Sequence, residues 1–509
     1  MPLDQPFPFR RPPGLDGPEP RHPVVVIGAG PVGLALAVDL AQRGVAVVVL
    51  DADDRPSDGS RAICWAKRSL EILDRLGVGE AVRDRGVTWR VGRQFHGDRE
   101  VFAFDLLPED GHKYPAFVNL PQWSVEGLLM ERAQALGVDL RHLNRVTGHE
   151  DRGDHAALSV ETPEGAYALE AEWVVACDGA NSPTRARMGL PWAGRSFEER
   201  FLIVDVEMET SPFAGGAPER WFWFDPPFHD GKSALLHEQP NGIYRIDLQL
   251  PADADPAHET REAVVRPRIE AIVGDAAFRI DWVSLYRFRC IRLDRFVHGR
   301  VVFCGDSAHV VSPFGARGGN GGLHDADNLG WKLAAILSGE APAALIGSYD
   351  EERGRGADEN IANSARATAF MTPKSPVEAL FRREALRLAR THDFARRLLN
   401  SGRLSTPVAL EGGSLFTPPP GPAPVPPGTA AVDAPVGEGW LIDRLDGWTL
   451  LSFGADAEGA ARIDDPVAVG RYGAGWIYLF RPDAHVCAAW PAPPAPEAVA
   501  RARARALGR

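Results

Sequence analysis

Residues 24–33 read Val-Val-Val-Ile-Gly-Ala-Gly-Pro-Val-Gly, and Asp51 closes a second apolar run at 45–50. The first run predicts a short buried strand over 24–27. Gly28, Gly30 and Gly33 then form a Gly-x-Gly-x-x-Gly turn into a helix over 34–42. Gly28 allows the tight turn, Gly30 lets backbone approach a pyrophosphate, and Gly33 lets helix pack on strand. The helix N-terminus, with Pro31 and Val32 in its first turn, offers free N–H groups and partial positive charge to phosphates. Asp51, 23 residues after Gly28 and followed by Ala52, is placed to accept from a ribose hydroxyl. Strand, turn, helix, strand and acid in this order predict a bound adenine dinucleotide without saying which.

The 509 residues are enough for two or three domains. A chain 44% hydrophobic and 25% charged has the composition of a globular protein. Its net charge of −13 argues against nucleic-acid and anionic-membrane partners. No apolar run approaches the roughly 18 residues that span a bilayer. The first 21 residues, rich in Pro and charge, lack an apolar core and read as a surface arm rather than a secretory signal. Cys64, Cys177, Cys290, Cys304 and Cys487 are odd in number and never spaced as Cys-x-x-Cys. They predict free thiols in a reducing cytoplasm, with no metal site.

Residues 22–85 read as a first βαβ segment. A helix is predicted at 125–136, hairpin strands at 155–176, and a buried strand at 301–304. Antiparallel strands are expected at 201–208, 221–224, 233–237 and 243–250, with a helix near 259–273. Helices follow from about 321 to 400. A Pro-rich stretch at 417–428 reads as a stiff connector within 401–430. Strand patterns return over 431–490, and 491–509 reads as a tail forming a solvated helix. The expected fold class is α/β. A Rossmann-like dinucleotide domain (22–400) is interleaved with an antiparallel-sheet substrate domain (about 86–118 and 190–285), and a small C-terminal domain follows.

Only one glycine fingerprint occurs, so a second nucleotide domain is excluded. Two later segments carry turn chemistry instead. Residues 174–182 (Val-Val-Ala-Cys-Asp-Gly-Ala-Asn-Ser) run a strand into an Asp178-Gly179 turn. Residues 301–309 (Val-Val-Phe-Cys-Gly-Asp-Ser-Ala-His) deliver Gly305-Asp306 to a turn. Residues 313–320 (Pro-Phe-Gly-Ala-Arg-Gly-Gly-Asn) then lead into a helix. Asp306 can accept from a ribityl or ribose hydroxyl. Gly318, Gly319 and Asn320 let backbone approach a flat ring edge, where the helix N-terminus favours the negative charge of a reduced flavin. Together these segments predict FAD, with adenine near Gly28–Asp51 and isoalloxazine near Pro313–Asn320.

On these motifs the chain resembles the single-component FAD-dependent aromatic hydroxylases of the para-hydroxybenzoate hydroxylase fold. The nearer likeness is to 3-(3-hydroxyphenyl)propionate and phenol hydroxylase types. The resemblance matches Arg61-Ala62 to that family's flavin-side Arg-Ala pair and Gln122 to its pyrophosphate-side Gln. It matches Asp178-Gly179 to the motif shared by flavin and nicotinamide nucleotide, and Pro313 to the proline facing substrate. Arg61 and Pro313 become the candidate catalytic residues. It implies NADPH or NADH as co-substrate, dioxygen captured as a flavin C4a-hydroperoxide, and hydroxylation ortho or para to a phenol oxygen. It also implies a thioredoxin-like fold for 431–490, without redox cysteines, and a homodimer. The family's phenol-deprotonating tyrosine pair is not matched, although Tyr244 and Tyr286 lie in the right domain. The aromatic-rich strand at 221–224 and its neighbours supply Trp223, His237 and Arg245 as substrate candidates. Two other chemistries share these cofactor motifs: oxidation of a quinone or polyketide, by hydroxylation or Baeyer–Villiger insertion, and halogenation. For the latter, 221–226 (Trp-Phe-Trp-Phe-Asp-Pro) matches the halogenase Trp-x-Trp-x-Ile-Pro except at Asp225.

Overall fold

The computed structural model describes residues 6–56, 61–107, 109–213, 215–230, 232–313, 315–399 and 406–509; side chains at 197–199 and 288 are not described. The first five residues of the arm, positions 401–405 of the connector and Phe314 of the ring-side loop lie outside these.

The fingerprint strand His22–Ile27 is the centre of a parallel sheet. Val47–Leu50 and then Asp139–Arg141 pair on one side, Gly165–Ala176 and then Val301–Phe303 on the other. Val24, Val25 and Val26 are wholly buried. A strand covered on both faces reads as a continuous apolar run rather than an alternating one. The fingerprint helix, Pro31–Gln42, starts on a proline whose missing N–H costs nothing there. The long helix Gly318–Leu337 lies directly across it. A Cβ on Gly322 would sit 2.5 Å from Val32 Cγ2, and one on Gly330 would collide with the Asp39 carboxylate. Small residues on the long helix set this close crossing.

The second sheet has eight strands. Their order is His309–Val310, Phe278–Arg292, Ala193–Met208, Ile243–Leu250, Ala234–Glu238, Glu219–Phe224, Val91–His96 and Arg99–Asp105. One face is apolar: Leu202, Val204, Val206, Leu236, Ile246 and Leu248 pack with Val265 and Ile269 of the helix Glu262–Val273. The other face is largely polar and looks toward the parallel-sheet half. A three-stranded sheet (Cys64–Ala66, Phe117–Asn119, Val87–Trp89) joins the two halves.

The C-terminal sheet runs Ala461–Ile463, Thr449–Phe453, Ile477–Phe480, Val486–Trp490, its first pair parallel and the others antiparallel. Pro466–Tyr472 enters before the third strand in sequence and Pro496–Ala506 follows the last, while the first two strands are joined by the short connection 454–460. The domain carries a single cysteine, Cys487, and no Cys-x-x-Cys.

One expectation is corrected here. The tail is not a solvated helix: Ala502, Ala506 and Leu507 are buried against the sheet and the helical half. The connector region is anchored along its length: Leu410, Leu415, Phe416 and Val425 are buried and Leu410 N–H donates to Gly428 O at 2.8 Å. Apolar residues spaced among the prolines give even an extended chain a sticky side.

A buried ionic cluster fastens the C-terminal domain to the rest. Arg481 donates to Glu352 at 2.6 Å and to Asp483 at 2.6 Å, and Lys332 donates to Glu352 at 2.9 Å. Arg68, just beyond the Arg61–Ala66 segment, donates to the Asp483 carbonyl at 2.6 Å. All five cysteines are free. Among the described residues no helix is long and apolar enough to cross a membrane, and no cluster of acids, His and Cys could hold a metal.

Candidate active site

The fingerprint helix and the long helix both begin without a side-chain cap, at Gly30 and Arg317. Their first-turn N–H groups are left for a ligand. Gly28 has φ +108°, and a Cβ there would meet Cys177 O at 2.5 Å, so only glycine serves. At Gly30 the nearest atom to an added Cβ is Glu126 Oε1, 4.0 Å away, leaving space above the turn. Gln122 opens the helix Gln122–Ala135 and donates to that same Glu126 oxygen at 2.8 Å. Asp51 accepts from Ala29 N–H at 2.5 Å and from Asp53 N–H at 2.8 Å. It braces the glycine turn, and burial raises its pKa despite these bonds.

Asp306 is exposed at its turn. Surrounding protein still raises its pKa, against the pull of His309 and Arg61. Beneath it, Gly305 N–H donates to Asp325 at 3.1 Å, and Asp325 also accepts from His309 and Arg353, each at 2.6 Å. Burial pushes the Asp325 carboxyl up, but His309 and Arg353 outweigh it and hold it at about 2. This triad was invisible in the sequence, since its members come from a short strand and two separate helices.

Pro313 is exposed at the start of the ring-side loop. Gly319 lies under the Ala62–Trp65 segment: a Cβ there would sit 3.3 Å from the Trp65 ring and 3.4 Å from Ala62 Cβ. Asn320 is already committed to protein. Its Oδ1 accepts from Ala66 N–H and its Nδ2 donates to Cys64 O, both at 2.9 Å, so only its backbone remains for a ring edge. Asp178 is similarly engaged, accepting from Ser182 Oγ at 2.5 Å and Thr184 N–H at 3.0 Å at the start of a short helix.

The substrate candidates separate. His237 and Arg245 are buried on the polar face of the antiparallel sheet. His237 Nδ1 is 3.7 Å from Cys64 Sγ. Arg245 donates to both Asp205 oxygens, at 2.9 and 3.2 Å, and to the Arg61 carbonyl at 2.7 Å. Trp223 is on the opposite face, stacked 5.4 Å from Phe95 in the core under Glu262–Val273. Its neighbours Phe222 and Phe224 lie on the other face, clustered with Phe201, Tyr286, Met371 and Leu386. Asp225 pairs with Arg382 at 2.6 Å, a surface structural role rather than a halogenase-like one.

The glycine turn, the two uncapped helix starts and Asp306 fit an extended dinucleotide running from Gly28 to Gly319. Residues 21–364 match the model of the FAD binding domain family. The chain belongs to that family.

Within it, this flavoprotein is 33% identical over 354 residues to a flavin-dependent monooxygenase of Mycobacteroides abscessus, covering 65% of this chain and 70% of the relative. It is 30% identical over 338 residues to para-nitrophenol 4-monooxygenase of a Pseudomonas species, covering 65% and 82%. In fold it is similar to the flavin-dependent monooxygenase PieE, solved with FAD and substrate. The TM-score is 0.83 at 21% identity, over 97% of this chain and 100% of that one. The flavoprotein is an FAD-dependent monooxygenase. Replacing Asp306 with Ala is expected to weaken FAD retention by about tenfold or more, as loss of a charge-assisted hydrogen bond implies; the flavin-to-protein absorbance ratio after gel filtration reads it. Unaltered retention would remove Asp306 from the site.

Proposed function

We propose that this flavoprotein hydroxylates a phenolic small molecule at the carbon ortho or para to its oxygen, using NADPH or NADH and dioxygen. The observation that carries this reading is the buried polar face of the antiparallel sheet, set against the Arg61–Cys64 segment at the ring end of the cofactor site. The relative that acts on para-nitrophenol supports it. Bound FAD supplies hydride acceptance and oxygen activation.

The chain's own residues supply the rest. The first turn of Gly318–Leu337 offers N–H groups to the electron-rich ring edge. Arg61, whose carbonyl is held by Arg245, adds positive charge beside Asp306. Phe201, Phe222, Phe224, Phe370 and Met371 form an apolar wall that keeps water from the reacting centre. Pro313 faces the incoming ring.

The same reading assigns residues 22–400 to cofactor and substrate and 431–490, with the docked tail, to a bracing role. A cytoplasmic location agrees with five free cysteines. A homodimer is supported by the exposed Val377, Leu380, Phe381, Phe394 and Leu398 on the adjoining helices Pro376–Ala389 and Asp393–Leu399. The test is a panel of phenols with NADH or NADPH under air. A stimulating phenol is expected to accelerate reductant consumption and to yield a product one oxygen heavier by mass spectrometry. Failure of every aromatic to do both would end the hydroxylase reading.

A further inference from the structure

Among the described residues, the polar face holds buried side-chain atoms without a hydrogen-bond partner, including Gln94 Oε1, Arg220 Nε, His237 Nε2, Asp247 Oδ1, Trp282 Nε1 and Ser284 Oγ. Strand register orders them. Gln94, Phe222, Leu235, Asp247, Ile203 and Ser284 form one cross-strand row. Arg220, His237, Arg245 and Asp205 form the next, two residues along and on the same face. His237 lies directly opposite Arg220 and diagonal to Asp247, with Cβ atoms about 5 and 7 Å apart, so these three groups share one small volume, while Gln94 and Ser284 lie strands away on either side. Arg220, His237 and Asp247 have each given up water without gaining a partner, which points to a ligand that completes them.

The unmet capacities describe that ligand. Arg245 is consumed by Asp205 and the Arg61 carbonyl, which leaves Arg220 as the available cation. Burial pushes the Cys64 thiol up to about 11, so it stays protonated and donates to His237 Nδ1. Burial, then Arg220 and Arg245, keep His237 neutral, with its hydrogen on Nε2. The ligand therefore meets two donors, Arg220 Nε–H and His237 Nε2–H, and one carboxylate acceptor, Asp247. A substrate carboxylate would be repelled by Asp247. A neutral hydroxyl that can ionise satisfies all three.

We propose that Asp247 accepts the proton of the substrate's phenolic hydroxyl, and that Arg220 and His237 hold the phenolate that results. The O–H bond breaks, the proton moves to Asp247 Oδ1, and the oxygen keeps the electron pair between the two donors. This assigns the role for which no tyrosine pair was matched, and it rests on the hydroxylase reading above. The groups facing Asp247 are Arg245 on its own strand, Asp205, Arg220 and His237 on other strands of the sheet, and Cys64 from the strand Cys64–Ala66. Burial pushes its carboxyl up to about 6, with Arg245 and Arg220 opposing and Asp205 adding to the rise. A new phenolate nearby raises its proton affinity further, so the pair titrates together.

The test uses FAD-loaded enzyme with 4-nitrophenol and 4-nitro-1-naphthol, whose ionised forms absorb in the visible. On wild type the bound phenol is expected to ionise at least about one pH unit below its free value. kcat/KM should rise with pH through about 6, as Asp247 ionises. Asp247→Asn should retain FAD and bind the phenol but lose that limb of the profile. Arg220→Met should abolish the ionisation shift and weaken binding about tenfold, with Arg220→Lys restoring part of it. Benzoate should bind Asp247→Asn better than wild type. If wild type ionises and hydroxylates a phenol and both variants match it, the assignment is overturned. If wild type neither binds nor is stimulated by any phenol, the hydroxylase reading fails first and this assignment with it.

Discussion

Gly33→Val enzyme is expected to emerge from purification colourless. A Cβ at position 33 collides with the Gly28 carbonyl and comes within 3.2 Å of Cys177 Cβ. The first obstacle is backbone, which cannot swing aside as a side chain would. The helix must lift from the strand, and the turn that presents Gly30 to a pyrophosphate lifts with it. Overpacking of this kind costs about 1–3 kcal/mol before ligand contacts are counted. Loss of phosphate hydrogen bonds comes on top, so FAD retention should fall by about a hundredfold or more. Gly127→Ala is the control: nothing lies within 4 Å of an added Cβ there. Helix propensity predicts a gain of about 1 kcal/mol with the flavin kept. A yellow Gly33→Val protein would refute this account of the turn.

The second large effect lies far from the flavin. Arg481→Met should destabilise the protein by about 3–5 kcal/mol, because Glu352 and Asp483 would remain buried without their shared cation. Urea unfolding of the wild type and variant measures it; a loss under about 1 kcal/mol would show that water or rearrangement replaces the guanidinium. The acid limb of stability carries the same signature. Burial raises the Glu352 carboxyl, but Arg481 and Lys332 outweigh it and hold it at about 2, below its ordinary 4.5. A depressed acid stabilises the fold above its unfolded pKa. That stabilisation is lost as pH falls from about 4.5 to about 2, and amounts to about 3 kcal/mol at 1.36 kcal/mol per unit. Arg481→Met should flatten this limb.

The nucleotide end of the fold was legible because its demands are local. A four-residue apolar run, three glycines and an acid are enough to specify strand, turn and second strand, and 24–27 and 47–50 lie side by side as expected. The ring end was legible in outline, since Gly305-Asp306 and the glycines before the long helix serve the same backbone logic. Facing was not legible. Trp223 and Phe222 differ by one position, and one position in a strand exchanges one face of the sheet for the other. Both are aromatic, so alternation of polarity could not say which took which face. Asp247 and Arg220 carry no sequence signal for the same reason: inside strands of mixed composition they read as ordinary alternation. The Asn320 side chain holds backbone at 64–66, a segment that sequence spacing cannot bring to it, while Asp178 is engaged locally by Ser182 and Thr184. The tail was misjudged because its alternating Ala and Arg carry only a narrow apolar stripe, enough to dock when a sheet is already waiting.

Arg245 gives the two halves of this enzyme a common fastener. One guanidinium nitrogen grips the carbonyl of Arg61 on the cofactor side, while the others grip Asp205 on the substrate side. Whatever settles on the sheet and shifts Arg245 also shifts the loop beside the flavin. Thermodynamic reciprocity then fixes the exchange. The factor by which an occupied sheet tightens or loosens FAD equals the factor by which FAD changes affinity for the sheet's occupant. Any coupling carried by Arg245 between cofactor and substrate is therefore felt equally by both.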